Sequence, residues 1–308
     1  MDSTNTPRIP EQTLASDSST TTHDVSVVGC GAMGSALART FAGRGLSVAV
    51  WNRTPGRAEA LAGEDISAIT EIDVAVGSAP LVVACTSTYA AARASLDRVT
   101  DWTGTTLANI GSGTPDEAKE MQRWVSERGG TYLDGSILCY PQDIGTPRGH
   151  VLFAGAGAQW TEHAHVFAAL GAAAQHVSES VHVGSVLEVA IAGGFYLPAL
   201  SAFVESATYT RSQGVSSAEL RGLIPVALDL LRAHIDETAT AIEIGNHVTE
   251  QASLSVYAEG ARTALAAMRS AGQRARLLNA AAENLATAEA AGLGSFGFSV
   301  QTEIASAE

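Results

Sequence analysis

The sequence predicts an α/β fold in two parts, a parallel sheet wrapped by crossover helices and then an all-helical half. Three observations carry this expectation. From His23 to about Val177, short β-branched runs alternate with amphipathic stretches, the pattern of strand–helix–strand units. After about Val181 the strand-like runs stop and an Ala- and Leu-rich helical pattern runs to the end. The chain has 308 residues, 46% hydrophobic and only 16% charged, enough apolar material for packed cores rather than a disordered coil.

The elements follow in order. Residues 1 to 22 are rich in Ser and Thr, carry no apolar signal segment, and read as a disordered tail. A sheet domain is expected over 23–181, a long connecting helix over 182–213 and a helical domain over 214–308. Asp24–Gly29, Leu46–Trp51, Leu81–Thr86 and Thr105–Ile110 read as strands, with further strands at Thr131–Leu133, Val151–Ala154 and Ala174–Val177. Thr54-Pro55 and Thr114-Pro115 each place an N-cap hydroxyl before a proline at the first helical position. A long helix is expected from about Ser185 to Ser212, bent where Pro198 crowds Gly194. Ser216 and Glu219 form a capping box for the next helix, and Leu254–Arg269 and Arg274–Ala290 carry the last two. The lipid-like stretch between Glu188 and Glu205 is too short and too interrupted for a membrane span of about 20 apolar residues, so a buried helix is expected there.

Charge and cysteine usage narrow the function. Eighteen Lys+Arg against thirty-two Asp+Glu leave a net charge of −14, which disfavours nonspecific binding to nucleic acid phosphates. Lys119 is the only lysine. Cys30, Cys85 and Cys139 form neither a disulfide framework nor a metal site, and they fit a reducing, cytoplasmic setting. No His/Cys/Asp cluster has metal spacing; His163 and His165 read as solvated, and Asp143, Arg148 and His150 as structural or rim groups around a Pro-Gly turn.

The chemistry starts at Gly29-Cys30-Gly31-Ala32-Met33-Gly34, which follows the first strand and opens a helix. Gly29 suits a tight turn, Gly31 close approach of backbone to a pyrophosphate, and Gly34 close helix–strand packing; the helix start at Ala32 and Met33 faces the anion. In this context the motif marks a Rossmann dinucleotide-binding domain. At the end of the second strand, Val50-Trp51-Asn52-Arg53-Thr54 offers no carboxylate for a ribose 2′-hydroxyl. Asn52 is neutral, Arg53 can fork onto a 2′-phosphate, and Arg57 lies one turn into the helix that Thr54 opens, so NADP(H) is the expected cofactor. The plainer alternative makes Thr54 a simple cap and the arginines solvated surface. Cys85-Thr86-Ser87 and Asn109-Ile110-Gly111-Ser112-Gly113 sit at two more strand ends, where ligands bind in open α/β sheets. Cys85 lacks a paired base and reads as a packed thiol.

With GCGAMG, VWNRTPGRAEAL, ANIGSGTP and especially DGSILCYPQDIGTPRGHVLFAG, the chain resembles the imine reductases of the β-hydroxyacid dehydrogenase superfamily over about residues 24 to 300. The resemblance implies NADPH-dependent reduction of a C=N bond to an amine, with a cyclic imine, or a ketone plus an amine, as substrate. It also implies a homodimer whose active sites are shared between subunits through an all-α dimerisation domain, with His247 and Tyr257 lining the partner's pocket. Hydroxyacid dehydrogenases of the superfamily place a lysine near the start of the connecting helix, whereas imine reductases commonly place an aspartate or tyrosine there. Aligning Val189-Ala190-Ile191 and Tyr196 with that pattern puts Glu188 at this place.

Reduction adds a hydride to carbon and a proton to nitrogen, so a carboxyl group can donate the proton or, ionised, steady the iminium. Glu188 is the expected donor, with Tyr196 an assisting donor or aromatic wall; on an ideal helix they lie on broadly the same side, about 12 Å apart along the axis. Asn109 is expected to hydrogen-bond substrate or cofactor from the sheet side. Two plainer readings stay open: Ser185-Val186-Leu187-Glu188 fits a capping box, and Tyr196 fits a core aromatic. Two rival functions also stand, a hydroxyacid or aldehyde oxidoreductase without its lysine and a catalytically silent NADPH-binding dimer.

Overall fold

In a computed structural model, residues 23–171 and 174–305 are described; the expected tail over 1–22 lies outside the described residues. The chain divides into two compact units, one running through Ala192 and the other from Gly193 onward. In the first, the elements run β1 (Val25–Val28), α1 (Ala32–Ala42), β2 (Val48–Trp51), α2 (Pro55–Glu59), β3 (Ile66–Ala68), α3 (Ile72–Gly77), β4 (Leu81–Ala84) and α4 (Tyr89–Leu96). They continue with β5 (Thr106–Asn109), α5 (Pro115–Ser126), β6 (Thr131–Ile137), β7 (Val151–Ala154), α6 (Gly157–Glu162), α7 (Ala164–Phe167), β8 (Ala174–Ser178) and α8 (His182–Glu188). The eight strands form one sheet in the order β3-β2-β1-β4-β5-β6-β7-β8. All neighbours are parallel except β6 and β7.

The strands are continuous apolar runs because both sheet faces are covered. Alternate residues go to opposite sides: Val25 and Val27 of β1 join Leu37, Phe41 and Phe167 in one core, while Val28 joins Leu96, Trp102 and Trp124 in the other. The order reverses at β1, whose neighbours are β2 and β4, so a crevice opens at the carboxyl ends of these strands. Short β3 is a strand that the sequence reading omitted; its three residues leave little alternation to detect. β6 runs four residues past the expected Leu133, to Ile137, because antiparallel β7 pairs with its second half.

One expectation about polar residues needs correction. His163 is not solvated: it is 2% exposed at the break between α6 and α7, with Nε2 2.8 Å from Thr106 Oγ1, while His165 is exposed. Thr106 Oγ1 in turn lies 2.8 Å from Thr131 Oγ1, so the ring closes a chain of hydroxyls across β5 and β6. The local sequence hid this because a short break between α6 and α7 re-aims the side chain that a continuous helix would expose. Asp143 does serve structure, accepting from Arg148 at 2.7 and 2.8 Å to hold the turn before β7.

The segment after α8 also departs from expectation. α8 begins at His182, at the boundary expected for the connecting helix and three residues before the Ser185 start, and Val189–Tyr196 is π-helical. The spacing of an ideal α-helix therefore does not apply between Glu188 and Tyr196. Pro198 is the second residue of α9 (Leu197–Ser212), directly after the π-helical turns, where its missing N–H falls at the change in helical hydrogen bonding.

The second unit comprises α9, α10 (Ser217–Ile244), α11 (Leu254–Ser270), α12 (Arg276–Ala290) and a 3-10 turn, Phe298–Ile304. The expected capping box forms at α10: Ser216 Oγ accepts from Glu219 N at 3.2 Å, and Ser216 N donates to Glu219 at 2.8 Å. Leu254, Ala258, Leu285 and Val300 make a small core. Glu205 of α9 caps α12 by accepting from Arg276 N at 2.8 Å and Leu277 N at 3.2 Å. The buried helix expected between Glu188 and Glu205 is not found, since α9 and α10 contain no buried residue. Their apolar side chains have too little of this chain to pack against.

His163 gives the fold a testable acid sensitivity. Burial holds its imidazole below the ordinary value of 6.5, so the folded state keeps it neutral. Its contribution is complete above that value and is lost as the pH falls through the lowered one. Chemical denaturation of the wild-type chain should therefore lose more stability between about pH 7 and about pH 5 than His163→Gln does. Equal losses would contradict this.

Candidate functional site

The crevice at the β1, β4 and β5 ends is built around the turn Gly29–Gly34. Gly29 holds φ +106°, which suits glycine, and a Cβ on Gly34 would lie 1.8 Å from the Gly29 carbonyl oxygen, so α1 can pack this close only without one. A Cβ on Gly31 meets nothing within 4 Å, and Gly31 and Ala32 are exposed with Met33 half-buried. No side chain caps α1 and no acid occupies its first turn, so its N-terminal amides face outward with their partial positive charge. This cradle fits a pyrophosphate.

Asn52 has a bracing role. Its Oδ1 accepts from Cys30 N at 2.9 Å and its Nδ2 donates to the Thr54 carbonyl at 3.0 Å, tying the glycine turn to the end of β2. Thr54 is the N-cap of α2 but its hydroxyl makes no cap bond, so Pro55 at the first position does the starting. Arg53 and Arg57 are both exposed. Burial pushes the Cys30 thiol up to about 11 against the opposing charge of Arg57, which places that guanidinium's field at the glycine turn. Cys85, half-buried, is pushed up by desolvation to about 12, an unreactive thiol packed at the end of β4. Thr86 donates to the Thr88 carbonyl at 2.9 Å and Ser87 is exposed at the tip of the same loop.

Asn109 ends β5 fully buried, its amide close enough to the Tyr132 hydroxyl to act on it, yet neither amide atom makes a hydrogen bond of ordinary geometry. An orphaned amide is costly, and at this strand end it marks a place where the crevice is not self-satisfied. Its side chain does not present itself to solvent in this conformation.

Glu188 is not a capping residue. Ser185 lies inside α8, and its hydroxyl donates to Asp134 Oδ2 at 2.9 Å. Glu188 Oε1 instead accepts from Ser112 Oγ, in the loop after β5, at 2.5 Å. The carboxyl is half-buried and turned to the same strand ends as the glycine turn's neighbours. Tyr196 is about half exposed and belongs to the second unit. Lys119 is spent on the outer face of α5, 3.1 Å from Asp116, and offers no lysine to this crevice.

The sequence reading missed a group of partners beneath Glu188. Asp134, fully buried on β6, accepts from the Tyr89 hydroxyl, from Tyr132 at 2.8 Å and from Ser185 at 2.9 Å. The Ser112 loop was noted as a whole, but nothing in sequence spacing pairs Ser112 with a residue 76 positions away. Among the described residues no cluster of three or more His, Cys, Asp or Glu could hold a metal ion. In the second unit, His247 lies 2.9 Å from Ser299 and 3.2 Å from Glu303, and Tyr257 meets Phe298 edge to face at 5.1 Å.

Comparisons with known proteins identify the family of the chain. Residues 24–184 match the family model described as the NAD binding domain of 6-phosphogluconate dehydrogenase. Residues 185–307 match the C-terminal domain of NADPH-dependent reductive aminase-like proteins. The NADPH-dependent reductive aminase of Aspergillus oryzae is 24% identical over 240 residues, 77% of this chain and 81% of its own length. The imine reductase of a Pseudomonas species is 30% identical with a TM-score of 0.86, covering 91% of this chain and 98% of that one. The reductive aminase of Aspergillus terreus, solved with NADPH4, cyclohexanone and allyl amine, is 27% identical with a TM-score of 0.86, covering 92% and 99%.

The arginine pair gives a direct check. Arg53→Ala with Arg57→Ala should weaken binding of a 2′-phosphorylated dinucleotide by roughly tenfold or more, since each charge-assisted bond is worth about 1.5–3 kcal/mol. Binding of the unphosphorylated dinucleotide should change far less. Fluorescence titration of both forms measures this, and equal losses would remove the two arginines from 2′-phosphate recognition.

Proposed function

The chain belongs to the imine reductase and reductive aminase family of NADPH-dependent oxidoreductases, and from that premise we propose how its own residues carry the reduction of a C=N bond to an amine. Substrates are cyclic imines, or imines formed from a ketone and an amine. NADPH, when bound, supplies the hydride that reaches the imine carbon. Gly29, Gly31, Ala32, Met33 and Gly34 would hold its pyrophosphate, Arg53 and Arg57 its 2′-phosphate, and the Cys85–Ser87 and Asn109–Gly113 loops would flank its remaining length.

Glu188 delivers the proton. The imine carbon gains the hydride, the C=N π electrons move to nitrogen, and nitrogen takes the proton from the Glu188 carboxyl, leaving a carboxylate that solvent reprotonates. The observation that carries this reading is the 2.5 Å bond from Ser112 to Glu188 Oε1, which holds the carboxyl at the strand ends instead of on its own helix amides. A hydroxyl that donates to the carboxylate also steadies it once the proton has left. Tyr196 assists as a second donor or as an aromatic wall. Lysine-dependent hydroxyacid oxidation has no candidate here, because Lys119 is engaged elsewhere.

The protein works as a homodimer with shared sites. Phe195, Leu197, Val204, Leu223, Val226 and Leu230 are all about half exposed or more, a far larger apolar surface than a monomer tolerates. The segment His182–Ser212 is long and apolar enough to cross a membrane by length and composition, but a second copy covers the same side chains without burying Glu188 and Glu205 in lipid. In the dimer His247 and Tyr257 line the partner's pocket. The three free thiols suit a reducing, cytoplasmic setting.

Two experiments test this. Glu188→Gln should lower kcat on a neutral cyclic imine by about 10²-fold, the usual worth of a positioned proton donor, with NADPH affinity unchanged. A permanently charged N-alkyl iminium needs no proton and should be affected far less. Equal losses on both substrates would show that Glu188 does not act by donating a proton. Light scattering should give twice the mass of one chain, and Leu223→Asp with Val226→Asp should halve it; a monomeric wild-type protein would contradict the shared site.

A further inference from the structure

The reaction as described leaves one buried ionisable group unused. Asp134 sits on β6 opposite Asn109 of β5, is fully buried, and is paired with no cation among the described residues. Burying a carboxylate is expensive and is tolerated only with dedicated donors. Here three hydroxyls supply them: Tyr89 at the start of α4, Tyr132 two residues away at 2.8 Å, and Ser185 of α8 at 2.9 Å. Tyr89 and Ser185 are also 3.0 Å from one another.

The cluster is aimed at α8. A Cβ on Gly184 would lie 2.9 Å from Asp134 Oδ2, so the helix backbone presses directly on the carboxylate. Ser136 Oγ donates to the Gly184 carbonyl at 2.9 Å, a second clamp on the same turn. Ser185 precedes Glu188 by three residues, so the turn that Asp134 grips is the turn that presents Glu188. Glu188 is therefore held from two sides, by Ser112 at its carboxyl and by Asp134 at the base of its helix.

We propose that Asp134 is a positioning residue for the proton donor, acting through Ser185 to fix the helical turn that carries Glu188 to the strand ends. This rests on the reading of Glu188 as the donor. A group that gripped the helix only for stability would need neither a charge nor such close approach; an Asn or Ser would serve at lower cost. Burial, with a smaller contribution from the charge of Glu188, raises the Asp134 carboxyl to about 6 against the three hydroxyl bonds. The groups facing it are Tyr89 from α4, Tyr132 from its own strand, and Ser185 and Glu188 from α8.

A double-mutant cycle on the full chain, with NADPH and a cyclic imine, separates positioning from general support. Asp134→Asn should lower kcat roughly tenfold with KM for NADPH unchanged, the scale of loss seen when a supporting group loosens a site. In a Glu188→Gln background the same change should cost less than about twofold, because there is no donor left to position. If Asp134→Asn costs the same factor in both backgrounds, its role is general and the proposal is overturned. If Glu188→Gln alone matches wild type, the donor reading fails and the proposal falls with it, which is a distinct result. Should Asp134→Asn not fold by circular dichroism, Ser185→Ala leaves the tyrosines and the carboxylate in place and breaks only the link to α8. Its cycle with Glu188→Gln reads the same way.

Discussion

The hydrogen bond from Ser112 to Glu188 depends on β5, β6 and α8 arriving at one place, and the proposed proton transfer rests on that bond. Ser112 stands in the loop after β5, where the strand has just delivered Asn109. Glu188 stands at the end of α8, whose previous turn is fastened to β6 through Asp134 and Ser136. The sheet thus supplies a rigid floor, and a single flexible carboxyl is left with one oxygen anchored. A donor on a glutamate needs such anchoring more than one on an aspartate, because its extra methylene adds a rotatable bond that must be fixed.

Much of the fold was legible in the sequence because both of its signals were local. Apolar four-residue runs with glycine or Thr-Pro breaks between them mark buried parallel strands and helix starts, and seven of the eight strands stand where those runs stand. β3 escaped because three residues carry no period. The helical half was legible as helix but not as surface: apolar composition alone says that α9 and α10 need cover, and only the structure shows that this chain does not provide it.

The site was legible in its glycines and less so in its polar side chains. The GxGxxG turn announces itself because each glycine has a steric reason that spacing reveals, as with Gly34 against the Gly29 carbonyl. Asn52 was read as a neutral neighbour of the ribose, yet its amide is engaged in bracing the turn. Ser185 and Glu188 matched a capping box in spacing, but the helix begins earlier, so both hydroxyl and carboxyl are released for partners far along the chain. Asp134, Tyr89 and Ser185, like Ser112 and Glu188, were invisible as partners, since their meeting follows from strand order and not from any short pattern.

The central claim is that the Glu188 carboxyl gives its proton to nitrogen during hydride transfer. The solvent deuterium isotope effect on single-turnover reduction measures this directly. A neutral imine should be reduced more slowly in deuterated solvent, and a permanently charged iminium at the same rate in both. An equal isotope effect on the two substrates, or none on either, would contradict the account.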